Sequence, residues 1–90
     1  MSEIDQITGR QIAAARALAG ISQTELATAA RISVPTLRRM EASAGAAGGF
    51  ANNVAAVKAA LEAAGVIFIA SNGDGPGVRL RKDAEAGAPS

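Results

Sequence analysis

Apolar residues recur at helical spacing over roughly the first two thirds of the chain, then give way to β-branched and alternating runs. Ile12, Ala15, Leu18 and Ala19 share one helical face. They predict a first helix from Gly9 to Ala19, capped by Thr8 and stopped by Gly20. Ser22-Gln23-Thr24-Glu25 has the form of a capping box. The Ser22 hydroxyl accepts the Glu25 amide, and the Glu25 carboxylate reaches back to the Ser22 amide. A second helix follows to Ala30, with Leu26, Ala27 and Ala30 inward. Ser33 caps a third helix running to Ala42, and Pro35 is tolerated because first-turn amides need no intrahelical partner. Leu37 and Met40 face inward there, while Thr36, Arg38 and Arg39 face out. The Gly/Ala-rich stretch from Ser43 to Ala51 reads as a loop. Asn52 or Asn53 is expected to cap a fourth helix with the stripe Val54, Val57 and Leu61, stopped by Gly65. Val66 to Ile69 then reads as a strand, Asn72 to Gly77 as a turn, and Val78-Arg79-Leu80-Arg81 as a half-buried strand. Residues 83–90 read as a frayed, flexible tail. The expected fold is mainly α: four helices and a C-terminal β-hairpin.

Composition narrows the chemistry. The chain has 90 residues, enough for one small domain, and 49% are apolar, but 23 are Ala and only Phe50 and Phe68 are aromatic. A monomer has a thin core, so oligomerisation is expected to supply further burial. There is no His and no Cys. That removes the ordinary zinc site, the thiol nucleophile and the His-based proton relay. With no paired carboxylates or nucleophile–base set either, the chain is not expected to be an enzyme, and no cofactor or metal is implied. No apolar run of membrane-spanning length occurs, and residues 1–11 carry Glu3 and Asp5 rather than a basic leader, so a cytoplasmic, nucleoid-associated protein is expected.

The net charge of +1 conceals an uneven distribution. Residues 9–42 carry Arg10, Arg16, Arg31, Arg38 and Arg39 against Glu25 and Glu41, whereas residues 43–90 balance to zero. An arginine excess confined to one short segment is a polyanion footprint. That segment holds two short capped helices joined by about three residues. They must cross steeply, with the small Ala27 where they meet, and the first turn of the second projects outward. A helix fits the major groove of DNA, and its first turn carries free amides and the positive end of its dipole.

Ser22-Gln23-x-Glu25-Leu26-Ala27, followed by Ser33-Val34-Pro35-Thr36-Leu37-Arg38-Arg39-Met40-Glu41, closely resembles the helix-turn-helix core of the phage-repressor-like (XRE, lambda-repressor-like) family. The likeness covers residues 9–64. Ala64-Gly65-Val66-x-Phe68-Ile69 and Gly75-Pro76-Gly77-Val78-Arg79-Leu80-Arg81 resemble a C-terminal extension of small bacterial members. The resemblance implies a four-helix helix-turn-helix DNA-binding domain over 9–64. Around it lie an N-terminal extension over 1–8, a hairpin dimerisation segment over 65–82 and a tail over 83–90. It also implies residue roles. Gln23 would hold a phosphate and brace the recognition helix. Ser33, Val34 and Pro35 would face bases, the last two against a thymine methyl. Thr36 would bond a phosphate. Arg39 would read guanine O6 and N7, worth about 1–3 kcal/mol of discrimination. Arg38 would meet the backbone, and the glycines of the 43–49 loop would bring amides near phosphate. Arg16 and Glu41 match a structural ion pair.

Two departures from the family pattern matter. Arg31 stands where Gly is common, and a left-handed conformation there costs about 1–2 kcal/mol. Its side chain either meets phosphate or is simply exposed. The reading positions also carry few amide side chains, which shifts weight to Arg39 and to DNA shape. Gly73, Gly75 and Gly77 read as a plain turn, because a phosphate loop needs a helix after it and a strand follows. Arg79, Arg81 and Lys82 read as a charge guard on an edge strand, with a second DNA contact as the alternative.

An isolated two-stranded hairpin is marginal in water. One face of this one can pack on the first and fourth helices; the other face and the free edge need a partner. A second copy pairing through residues 66–81 would form a homodimer, with two recognition helices about 34 Å apart over a palindromic site. The expected function is therefore a sequence-specific double-stranded DNA-binding transcriptional regulator, a repressor acting by occupancy. The alternative is a protein-interaction module, such as an antiactivator or antitoxin whose tail grips another protein.

Overall fold

The computed structural model describes residues 7–43, 51–70 and 73–82. Four helices, α1 (Gly9–Ala19), α2 (Gln23–Ala30), α3 (Val34–Ala42) and α4 (Ala51–Ala63), precede a hairpin of β1 (Val66–Ile69) and β2 (Gly77–Leu80). The first three helix boundaries fall where their caps predict. Thr8 Oγ1 accepts from the Gln11 amide, and the Gln11 side chain accepts from the Thr8 amide at 2.8 Å, a complete capping box. Ser22 and Glu25 form the second box, at 3.0 and 2.8 Å. Ser33 caps α3 through the Thr36 amide.

α1 and α2 end in the same motif. Ile21 N–H bonds Arg16 C=O and Gly20 N–H bonds Ala17 C=O; in the same way Ile32 bonds Ala27 and Arg31 bonds Thr28. The motif needs a left-handed residue, and the two that supply it are Gly20 (φ 73°) and Arg31 (φ 61°). Arg31 therefore does adopt the conformation that costs a side chain about 1–2 kcal/mol.

Ile12, Leu26, Leu37, Val57, Leu61 and Val66 are the largest fully buried side chains, and Ala15, Ala27, Ala30 and Met40 complete the centre with Ile7. Ala27 is 2% exposed. A larger side chain there would hold the crossing helices apart. Leu18, expected inside, is 46% exposed. The stripe through Thr8, Ile12, Ala15 and Ala19 leaves position 18 about a quarter turn off its centre. Asn52 and Asn53 do not cap α4. Helical geometry already holds at Ala51, a residue that favours it, so both asparagines sit inside the first turn.

The hairpin is antiparallel, with Val66 opposite Leu80, Ile67 opposite Arg79, Phe68 opposite Val78 and Ile69 opposite Gly77. β2 begins one residue earlier than the alternation predicts. Val66, Phe68, Val78 and Leu80 pack on the core, and the sheet lies against α1 and α4. Gln11, itself buried, donates from Nε2 to the carbonyls of Ile69 (3.3 Å) and Gly77 (3.0 Å), tying the turn end of both strands to α1. At the other end Arg81 N–H donates to Gly65 C=O at 2.7 Å, and the Arg81 guanidinium donates to Glu62 C=O at 3.3 Å. A cation on the last carbonyls of a helix also complements its dipole. Arg81 thus closes the end of α4. Residues 1–6 of the expected N-terminal extension (1–8), residues 44–50 of the expected 43–51 loop, residues 71–72 at the start of the expected turn and the tail (83–90) lie outside the described residues.

Candidate nucleic-acid interface

α3 is held from both ends. At its start, Ser33 Oγ accepts the Thr36 amide at 3.2 Å and donates to Thr36 Oγ1 at 2.9 Å. Arg39 Nη2 donates to the same Thr36 Oγ1 at 3.4 Å. Ser33, Thr36 and Arg39 lie at successive i, i+3 positions, so a chain of side-chain bonds runs along the outer face of the first two turns. Thr36 Oγ1 accepts from both neighbours.

The other end is anchored by Glu41. Its carboxylate accepts from Arg16 Nε at 2.9 Å and Nη2 at 3.1 Å, a two-pronged pair, and from Gln23 Nε2 at 3.0 Å. The pair is partly sheltered, with side-chain exposures of 24% for Arg16 and 8% for Glu41. The hydrogen bonds to Glu41, opposed by partial desolvation and reinforced by charge attraction, push the Arg16 pKa above the ordinary arginine value. Arg16 Nη1 also donates to Ile21 C=O at 3.3 Å. One carboxylate therefore joins α1, the start of α2 and the end of α3, and fixes α3 against the pair that carries it.

A second anchor was not foreseen. Gly9 lies so close to the end of α3 that a Cβ there would stand 2.1 Å from Met40 O, 2.5 Å from Ser43 O and 2.9 Å from Glu41 O. Only a residue without a side chain lets the first turn of α1 rest on those carbonyls. Gln11 was missed as well, although Thr8-x-x-Gln11 spells a capping box. No local pattern betrays Gly9, because its neighbours come from thirty residues downstream.

The predicted contact residues lie at the first position of α2 and from the N-cap of α3 into its second turn. Ser33, Pro35, Arg38 and Arg39 are exposed, and Thr36 is half-buried. Val34 is half-buried too and packs in part on the core. Gln23, at the first position of α2, is half-buried and directs its amide group to Glu41. From Leu26 to Met40 the chain carries Arg31, Arg38 and Arg39 and no acidic residue. All three arginines are exposed, so the outward end of α3 is uniformly cationic.

Residues 12–47 match a family model described as helix-turn-helix. The match covers 36 of the 90 residues, and this part of the chain is similar to helix-turn-helix proteins. The match begins inside α1 and runs past α3, so it includes Arg16, Gln23 and Glu41 but not Gly9. A search of curated proteins returned no match. The match supports a DNA-binding helix-turn-helix. Among the described residues no helix is long and apolar enough to cross a membrane.

Proposed function

We propose that the protein is a sequence-specific double-stranded DNA-binding transcriptional regulator that represses by occupying a palindromic site as a homodimer, within the nucleoid of the cytoplasm. The observation that carries the DNA reading is the exposed, acid-free first half of α3, braced by Glu41 at its other end. Ser33, Pro35 and the exposed part of Val34 meet base edges. Thr36 bonds a phosphate, Arg39 swings from Thr36 to guanine, and Arg38 meets the backbone. Gln23 has its amide group on Glu41, so its phosphate contact uses the backbone amide at the start of α2.

The dimer rests on the hairpin. Arg81 donating to Gly65 marks that pair as hydrogen-bonded. By alternation, Ile67–Arg79 and Ile69–Gly77 are bonded too, and the Val66 and Phe68 backbone groups point away from β2. That edge adjoins Ile67, an outward-facing side chain 40% exposed. Edge pairing of two β1 strands gives a four-stranded sheet and covers Ile67.

Selection of bound sequences from a random duplex pool at about 100 mM salt tests the DNA reading, since phosphate contacts are salt-dependent. Enrichment of an inverted repeat is expected; no enrichment, or enrichment unchanged in an Arg38→Ala/Arg39→Ala variant, refutes it. Ile67→Lys tests the dimer. A folded monomer by sedimentation and circular dichroism, melting below the wild-type dimer, is expected, and a persisting dimer rejects this interface. If the hairpin instead grips a different protein, the Arg38/Arg39 variant keeps that complex.

A further inference from the structure

Gly20 and Arg31 occupy the same position in two copies of one motif, with the same pair of backbone hydrogen bonds and nearly the same φ. At Gly20 the conformation comes without strain; at Arg31 it does not. No other non-glycine residue among those described has a positive φ. The Arg31 side chain is exposed, and it makes no hydrogen bond or ion pair within the described residues. The two backbone hydrogen bonds of the motif need a left-handed residue but not an arginine, so no side-chain contact among the described residues explains an arginine there. What surrounds it is cationic: Arg31 precedes the Ser33 cap by two residues and shares an acid-free stretch with Arg38 and Arg39.

Resting on the DNA reading above, we propose that Arg31 is a phosphate-binding residue. Its backbone strain is kept because the guanidinium, from the turn, grips the sugar–phosphate strand beside the groove that α3 enters. Two residues of chain span at most about 7 Å, and an arginine arm adds nearly as much again, so the contact falls on a phosphate next to those held by the α3 start. A guanidinium presents a planar fork suited to phosphate oxygens. The contact is independent of base sequence and supplies affinity and register rather than specificity.

The experiment compares wild type, Arg31→Gly and Arg31→Lys. Binding to a fluorescent mixed-sequence duplex is titrated over a range of salt, and each protein is melted alone. Arg31→Gly is expected to melt a few degrees higher, because the strain is gone. It should bind about eightfold more weakly at 0.1 M salt, with the slope of log affinity against log salt shallower by about 0.9, the value of one phosphate. Arg31→Lys is expected to restore the slope while melting like wild type. Arg31→Gly binding with wild-type affinity and slope overturns the proposal. A loss that Lys does not recover also overturns it, because the turn and not the charge is then responsible. A lower melting temperature for Arg31→Gly removes the strain argument. Wild type that binds no duplex at any salt refutes the DNA reading itself, an outcome distinct from the others.

Discussion

Replacing Gly9 by Ala sets two physical effects of opposite sign against each other. Helix propensity alone favours Ala by up to about 1 kcal/mol. The structure opposes it. The new methyl would lie 2.1 and 2.5 Å from two backbone oxygens, Met40 O and Ser43 O, and neither can rotate away as a side chain could. Relief requires the first turn of α1 and the end of α3 to separate by about 1 Å, and overpacking of that kind costs about 1–3 kcal/mol, here toward the upper end. The net loss is about 2 kcal/mol. For a domain this size each kcal/mol moves Tm by about 4–8 °C, so a melt followed by far-ultraviolet circular dichroism should fall by about 10–15 °C. Gly20→Ala is the control. It has open space around it and a φ of 73°, so it suffers conformational strain alone, about 1 kcal/mol. Gly9→Ala should therefore melt below Gly20→Ala, although Gly9 needs no unusual φ. A Gly9→Ala protein as stable as wild type, or more so, would refute the close-approach argument.

Other substitutions probe the remaining anchors. Arg16→Ala and Glu41→Ala should each destabilise by about 2–4 kcal/mol in chemical denaturation, the double variant by clearly less than their sum; additive losses would mean the pair is uncoupled. The raised Arg16 pKa means that its contribution is present below the unfolded arginine pKa and is lost only above it, so the stability from this cation should be flat across the neutral range. Gln11→Ala removes bonds to Thr8, Ile69 and Gly77 and should lower stability by about 1–3 kcal/mol, with hydrogen exchange accelerated in the hairpin; unchanged exchange there would discount the tie. Ser33→Ala should lower stability by about 1 kcal/mol and weaken duplex binding by freeing Thr36, and unaltered binding would separate the cap from the interface.

What the sequence disclosed was mostly local. Thr8, Ser22 and Ser33 announce three helix starts because a hydroxyl that serves its own third-following amide is visible at fixed spacing. The Arg16–Glu41 pair was legible only through family resemblance, since twenty-five residues separate the partners. Leu18 was misplaced because its i+3 relation to Ala15 looks inward until the drift of the helix is followed for a further turn. Asn52 and Asn53 suggested a cap by residue type alone, but a cap is defined by where the helical backbone begins, and Ala51 already belongs to it. The exposed end of α3 was foreshadowed by its lack of acidic residues. The contacts that aim it, Gly9 on the α3 carbonyls above all, belong to tertiary structure.

The tie from Gln11 bears on the segment between the strands. One amide nitrogen on α1 holds Ile69 and Gly77 together from outside the sheet, so the strand ends stay in register without help from the connecting peptide. That connection is free to lengthen. A peptide tag or a reporter spliced in around Gly73–Gly75 should leave the rest of the molecule undisturbed, which makes this the natural place to graft a handle onto the protein.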